Sequence, residues 1–215
     1  MKPTQIALAL ILVASPVSAQ DTMSALARAE RAYRDLETLT TQFTQTIVNP
    51  MLGGPEISHG ILFLQPPSRF AMKFRDPPDD RIVADGTWLW AYSPSAVPGQ
   101  VVRQPIPTRG AATPNLLAQF VDRPLEHYRA YYVGEETVNG EAVDVVRLVP
   151  RRDDLPFREA MISVSLETGL LLRLAVQELS GQSRTLEFSA PKTNQPIPEA
   201  ELRFTVPAGV RIVTP

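Results

Sequence analysis

Between Gly60 and Pro94 the chain alternates large apolar residues with small or polar ones, interrupted only at prolines and a glycine. Phe70, Met72 and Phe74 are separated by Ala71 and Lys73; Trp88, Trp90 and Tyr92 are separated by Leu89 and Ala91. A period of two places each set on one face of a pleated strand. Four consecutive strands joined by short turns are predicted, with one face aromatic and apolar and the other mixed or charged. Pro66-Pro67 and Pro77-Pro78 mark turns, because proline cannot donate to a ladder. Asp85-Gly86 is a two-residue hairpin signal. A curved antiparallel sheet with such a face either packs against helices or encloses an apolar ligand.

The pattern on either side completes the picture. Residues 22–39 read as an amphipathic helix, with Asp21 as N-cap and Leu26, Ala29, Tyr33 and Leu36 in one apolar stripe. Residues 40–48 read as a strand, and 100–104 as another. Thr113-Pro114 is a helix start, and Leu116, Leu117, Phe120 and Val121 share one face of that helix until Pro124 ends or interrupts it. This short apolar helix between two β regions is the natural candidate for a lid. Further strands are predicted over 131–134, 142–149, 160–166, 170–179, 183–189 and 202–206, with Asn139-Gly140 and Thr168-Gly169 as hairpin turns. The order helix, strands, helix, strands has no βαβ alternation. It predicts an α+β fold: one antiparallel sheet of about a dozen strands wrapped around two or three helices. No internal repeat or linker divides residues 20–215, so one domain is expected.

The N-terminus sets the compartment. Lys2, the apolar run Ile6 to Val13 and the small residues Val17-Ser18-Ala19 form a signal-peptide pattern, with cleavage expected after Ala19. No cysteine follows to carry a lipid anchor, and none exists for a disulfide, so stability is expected from the core alone. The net charge of −2 leaves no basic stripe, which argues against nucleic acid or an anionic membrane surface as partner. A monomer is expected.

Candidate chemistry is sparse. The two histidines, His59 and His127, lack the i, i+4 spacing of a zinc helix. No glycine-flanked serine elbow or phosphate loop occurs. Asp76, Asp79, Asp80 and Asp85 lack the offsets of a calcium loop and read as turn residues. No catalytic residue, metal or cofactor is expected; Ser58-His59 is the one pair an esterase could use. What stands out is the supply of apolar strand faces, which can fill a closed core or line a cavity. The candidate lining is Leu62, Leu64, Phe70, Met72, Phe74, Trp88, Trp90, Leu116, Leu117, Phe120, Ile162, Val164 and Leu172.

Several of these residues carry a family resemblance. Phe43-Thr44-Gln45, Gly60-x-Leu62, a proline turn, Arg69-Phe70 and Asp76-Pro77-Pro78 occur in order. They are followed by Ile82-Val83-Ala84-Asp85-Gly86-x-x-Leu89-Trp90-x-Tyr92-x-Pro94 and, near the end, Phe204-Thr205-Val206-Pro207-x-Gly209-Val210. The chain resembles the LolA family, periplasmic carriers of lipoproteins between the inner and outer membranes of Gram-negative bacteria. The resemblance implies an incomplete, strongly curved β-barrel with helices plugging the open side and acyl chains held between them. It implies loading by an inner-membrane ABC-type release complex and delivery to an outer-membrane receptor. The family places an arginine before the turn proline, where it latches the lid; here the place is taken by Pro66 in Gln65-Pro66-Pro67, and Arg69 is the candidate substitute. Alternative readings are a carrier of another lipid or glycolipid on the same fold, or an interaction protein that senses envelope lipids and regulates a partner.

Overall fold

The computed structural model describes residues 19–51, 53–106 and 117–215. The predicted signal peptide therefore lies outside the described residues except for Ala19, as do Leu116 and the Thr113-Pro114 helix start.

Helix α1 (Ala19–Arg34) opens the described chain and ends one turn earlier than its apolar stripe suggests. Leu36, past its end, is still buried, and it leads into β1 (Leu39–Val48). The predicted four-strand block is present as β2 (Glu56–Gln65), β3 (Arg69–Asp76), β4 (Arg81–Asp85) and β5 (Trp88–Tyr92), followed by β6 (Gln100–Pro105). Two single-turn helices, α2 (Ala118–Val121) and α3 (Pro124–His127), come next. Pro124 stops one helix and opens the next, as suits a residue that fits only the first turn. Then come β7 (Tyr128–Val138), β8 (Glu141–Pro150), β9 (Phe157–Ser165), β10 (Leu171–Glu178) and β11 (Ser183–Thr193). A 3-10 helix (Glu199–Leu202) and β12 (Arg211–Val213) close the chain.

The twelve strands of the described residues form one sheet in the order β12-β6-β5-β4-β3-β2-β1-β11-β10-β9-β8-β7. The sheet is curved and does not close into a barrel. Both halves contribute to one main core, where residues from β1 to β4 and from β8 to β11 meet α1 and α2. Helix α1 packs across β7, β8 and β9. The close approach is possible because Gly169 has no side chain: a Cβ there would lie 2.8 Å from the Arg28 carbonyl oxygen, and its φ of +75° also favours glycine. A second glycine thins the sheet itself. Gly60 faces Phe43 across the β1–β2 ladder, and its missing Cβ is where the Phe43 ring lies, 2.6 Å from Cζ. That ring meets Phe74 edge-on at 5.2 Å.

The expected antiparallel, curved, open sheet is present, and one strand expectation is corrected. Residues 202–206 do not form a strand. Leu202 ends the 3-10 helix, and Phe204 and Val206 lie extended over the outer face of the sheet, held there by packing with no ladder. The sheet is antiparallel except at one edge. The segment after β11 crosses the outer face and arrives running the same way as β6, so β12 pairs with β6 in parallel.

Candidate functional site

The two faces of the sheet follow from pairing. Leu64 pairs with Phe70, Phe70 with Ala84 and Ala84 with Leu89, so these residues share the concave face. Val83 pairs with Trp90, which puts the tryptophan row on the convex face with Ala71, Val101 and Leu202. Leu62, Leu64, Phe70, Met72, Leu117, Phe120, Ile162 and Val164 meet in the main core, with Phe74 packed at its edge. Trp88 and Trp90 do not: they belong to a separate outer cluster, where Phe204 stacks on Trp90 at 5.2 Å. Leu172 is also misassigned. An irregularity in the β9–β10 ladder between Leu171 and Arg173 reverses the alternation, sending Leu171 inward and Leu172 outward to Val143 and Val145.

Arg69 shares the convex face, away from α1, α2 and α3 among the described residues. Its guanidinium donates to Gln65 Oε1 at 2.9 Å and to Glu199 Oε1 at 2.7 Å. Lys73 pairs with Glu201 at 2.5 Å beside it. These bonds tie the C-terminal segment to the back of the sheet. Those from Arg69 and Arg203 hold the Glu199 carboxyl below the usual carboxylate range, against a smaller opposing push from burial. Asp85 anchors the same face by accepting from the Trp88 and Thr87 amides and the Trp90 indole, at 2.8, 2.9 and 2.8 Å. Burial is the largest single influence on its carboxyl and pushes upward. The three hydrogen bonds and the charge of Arg69 together outweigh it and hold the carboxyl low.

On the concave face, α1 is pinned. Arg28 pairs with Asp144 on β8 and donates through Nε to the Ser165 carbonyl at 3.2 Å. Tyr132 donates to the other Asp144 oxygen at 2.8 Å. The Tyr33 hydroxyl accepts from the Leu171 amide at 3.4 Å; burial raises its pKa well above the ordinary value, and the hydrogen bond pulls modestly back.

The α2–α3 segment is held differently. Leu117, Phe120 and Val121 are each about 1% exposed, and Phe120 lies 6.0 Å from the Tyr128 ring and 5.8 Å from Phe157. Burial pushes the Tyr128 hydroxyl up to about 12. Gaps border this segment. One of about 190 Å³ lies between Phe120 and Phe157, Leu174, Val176 and Leu186. Another of about 220 Å³ separates α1 and α2 from Pro66 and Pro67, and a third of about 240 Å³ separates α1 from α3. A cavity near 150 Å³ suits a benzene-sized guest, so none of these holds three acyl chains as it stands. The interior is largely filled, and its plug is a short segment packed by three apolar side chains. Pro66, with Pro67, borders the gap beside α2.

Phe43, Tyr128, Phe157, Leu174, Val176 and Leu186 belong to this site and were not among the sequence candidates. The alternation in Leu174-Ala175-Val176 and Arg184-Thr185-Leu186 was the available signal. Ser58 and His59 are adjacent on β2 and so point to opposite faces, and His59 Nδ1 lies 3.2 Å from the Thr44 hydroxyl. That geometry offers no serine–histidine pair.

The fold is an open half-barrel with helices packed over an apolar concave face. Comparison places this chain more closely. It matches the family of Outer membrane lipoprotein carrier protein LolA over residues 34–205, and it belongs to that family. The outer-membrane lipoprotein carrier protein of Chromobacterium violaceum is 27% identical over 214 residues, covering 100% of this chain and 99% of the relative. That of Halorhodospira halophila is 28% identical over 207 residues, covering 95% and 93%. Among solved structures, an uncharacterized conserved protein from Thermus thermophilus aligns with a TM-score of 0.56 at 11% identity, covering 90% of this chain and 98% of the other. MucB aligns at 0.54 and 18% identity, covering 87% of this chain and 64% of the other. These two likenesses concern the fold.

Proposed function

We propose that the protein is a periplasmic lipoprotein carrier. It shields the acyl chains of its cargo between the concave sheet face and the α2–α3 plug. It takes them from an inner-membrane ABC-type release complex and yields them to an outer-membrane receptor, acting as a monomer once residues 1–19 are removed. The observation that carries this reading is the plug: three buried apolar side chains over an apolar sheet, bordered by cavities, in a chain of this family.

The energies fit a reversible carrier. Exposing Leu117, Phe120 and Val121 costs about 1.5–3 kcal/mol each, or about 5–9 kcal/mol in all. Burying about ten methylenes of an acyl chain returns about 8 kcal/mol. Opening the plug and admitting one chain therefore nearly balance, and further chains supply the affinity. A triacylated cargo buried completely would exceed about 20 kcal/mol, beyond practical release. With α1 pinned by Arg28, Tyr33 and the Gly169 contact, the opening is assigned to α2–α3.

The test is native mass spectrometry of the purified protein with a triacylated lipoprotein and with the same polypeptide lacking acyl chains. The reading expects a one-to-one complex with the acylated form alone. Equal binding of the unacylated form, or no complex with either, would refute it.

A further inference from the structure

The cavity beside α2 is lined by the apolar side chains of Phe120, Phe157, Leu174 and Leu186 and by the polar ones of Gln119, Glu178 and Arg184. The Arg184 and Glu178 side chains, 39% and 29% exposed, form its solvent-facing rim. Arg184 pairs across the ladders with Ile47 and Val176, so its side chain projects from the concave face. Its ion-pair partner among the described residues, Glu178 Oε1, lies 3.8 Å away, beyond hydrogen-bonding distance. The Glu178 oxygens are already engaged: Oε1 accepts from Gln182 Nε2 at 3.1 Å and Oε2 from the Ser180 hydroxyl at 3.3 Å. The mouth therefore presents guanidinium donors beside a fixed carboxylate, with no net charge.

We infer that Arg184 and Glu178 select acyl chains presented as neutral esters or amides over free fatty acids. This rests on the reading of the cavity as an acyl site. A chain lying against Phe120 and Leu186 brings its first carbonyl to the mouth. A neutral carbonyl oxygen accepts from the Arg184 guanidinium at no electrostatic cost. A free carboxylate meets Glu178 at nearly the same distance as Arg184, and the repulsion cancels most of the attraction. An ether-linked chain fits the apolar interior equally well but leaves Arg184 without its acceptor. The mouth thus reads the linkage at the head of the chain, while the interior reads only its greasiness. Free fatty acids, which share the chain but not the linkage, are kept from competing with esterified cargo.

The experiment is displacement of a fluorescent apolar probe, 1-N-phenylnaphthylamine, by three single-chain competitors below their micelle concentrations. These are 1-lauroylglycerol, its ether analogue 1-dodecylglycerol, and laurate. The ester and ether share chain length and a neutral head and differ in the carbonyl. The protein is expected to prefer the ester by about tenfold, the range of one hydrogen bond to a charged donor. In Arg184→Met, which keeps an apolar stem and loses every donor, the ester should fall to the level of the ether. In Glu178→Gln, laurate should gain severalfold over its binding to the unaltered protein. Equal binding of ester and ether by the unaltered protein, or an ester preference that survives in Arg184→Met, would overturn the assignment of Arg184 and leave the acyl cavity standing. No improvement of laurate in Glu178→Gln would overturn the role of Glu178. Failure of all three competitors to displace the probe would overturn the acyl cavity itself, and the inference with it.

Discussion

Replacing Phe120 by alanine separates a lid from a core. The ring is about 1% exposed and stacked near Tyr128 and Phe157. Truncating such a side chain in a rigid core costs about 3–5 kcal/mol of global stability. In a lid the outcome differs. Closing α2–α3 gains about 5–9 kcal/mol from Leu117, Phe120 and Val121. It also orders a segment of ten residues (118–127) at about 1–2 kcal/mol each, against whatever backbone bonds and contacts the closed segment forms. The lid reading requires these terms to leave closure a net gain of about 3 kcal/mol, so a loss of that size raises the open population by roughly a hundredfold. Once the segment is open, no further stability is lost, so the global change stays below about 3 kcal/mol. Native-state hydrogen exchange reports both quantities. Amides of 118–127 should exchange roughly a hundredfold faster in Phe120→Ala, while those of β1 and β11 follow the modest global change. Tyr128 gives an independent readout. Its hydroxyl, pushed up to about 12 by burial, should titrate nearer the ordinary value of about 10 once α2 lifts. A full 3–5 kcal/mol global loss, with 118–127 still exchanging only through global unfolding, would refute the reasoning.

Three further outcomes are expected. Gly169→Ala should displace α1 and cost several kcal/mol in chemical denaturation, because the new Cβ meets a backbone oxygen at a positive φ; a neutral effect would contradict the close packing of α1. Arg28→Met should lose about 2–3 kcal/mol by leaving the buried Asp144 carboxylate without its charge partner. The double variant with Asp144→Leu should be less destabilised than the sum of the two single changes, and strict additivity would count against the pair. Asp85→Ala should cost about 1–3 kcal/mol at neutral pH. Because the folded carboxyl lies below its unfolded value of about 3.9, that contribution is complete above the unfolded value and disappears as pH falls through the folded one. The penalty should therefore shrink below about pH 4, and a pH-independent difference would refute the assignment.

The strands of the first sheet half were legible because alternation and proline turns agree in Phe70-Ala71-Met72 and Pro66-Pro67. Which face turned inward was not. The bulkier row, Trp88, Trp90 and Tyr92, lies outside, and only the chain of pairs from Phe70 through Ala84 to Leu89 reveals it. That row is sheltered by Leu202 and Phe204 from a segment more than a hundred residues away, a contact no local period encodes. Leu172 was misplaced because a ladder irregularity resets the alternation after Leu171. The strand expected at 202–206 had the right apolar spacing, but packing on a sheet face and pairing within a sheet leave the same trace in sequence. The plug was legible in Leu117, Phe120 and Val121 because a helical period interrupts a β pattern there. Arg69 was assigned to it by chain position alone, and a strand's period of two turned that side chain to the other face.

The most direct test of the account is a pair of photo-crosslinking positions on neighbouring strands that face opposite ways. Val176 borders the cavity beside Phe120, while Thr185, paired with Ala175, faces outward. With p-benzoylphenylalanine at each position and a triacylated lipoprotein as cargo, the account predicts acyl-chain crosslinks from position 176 and none from 185. Crosslinks from 185, or equal yields from both, would contradict it.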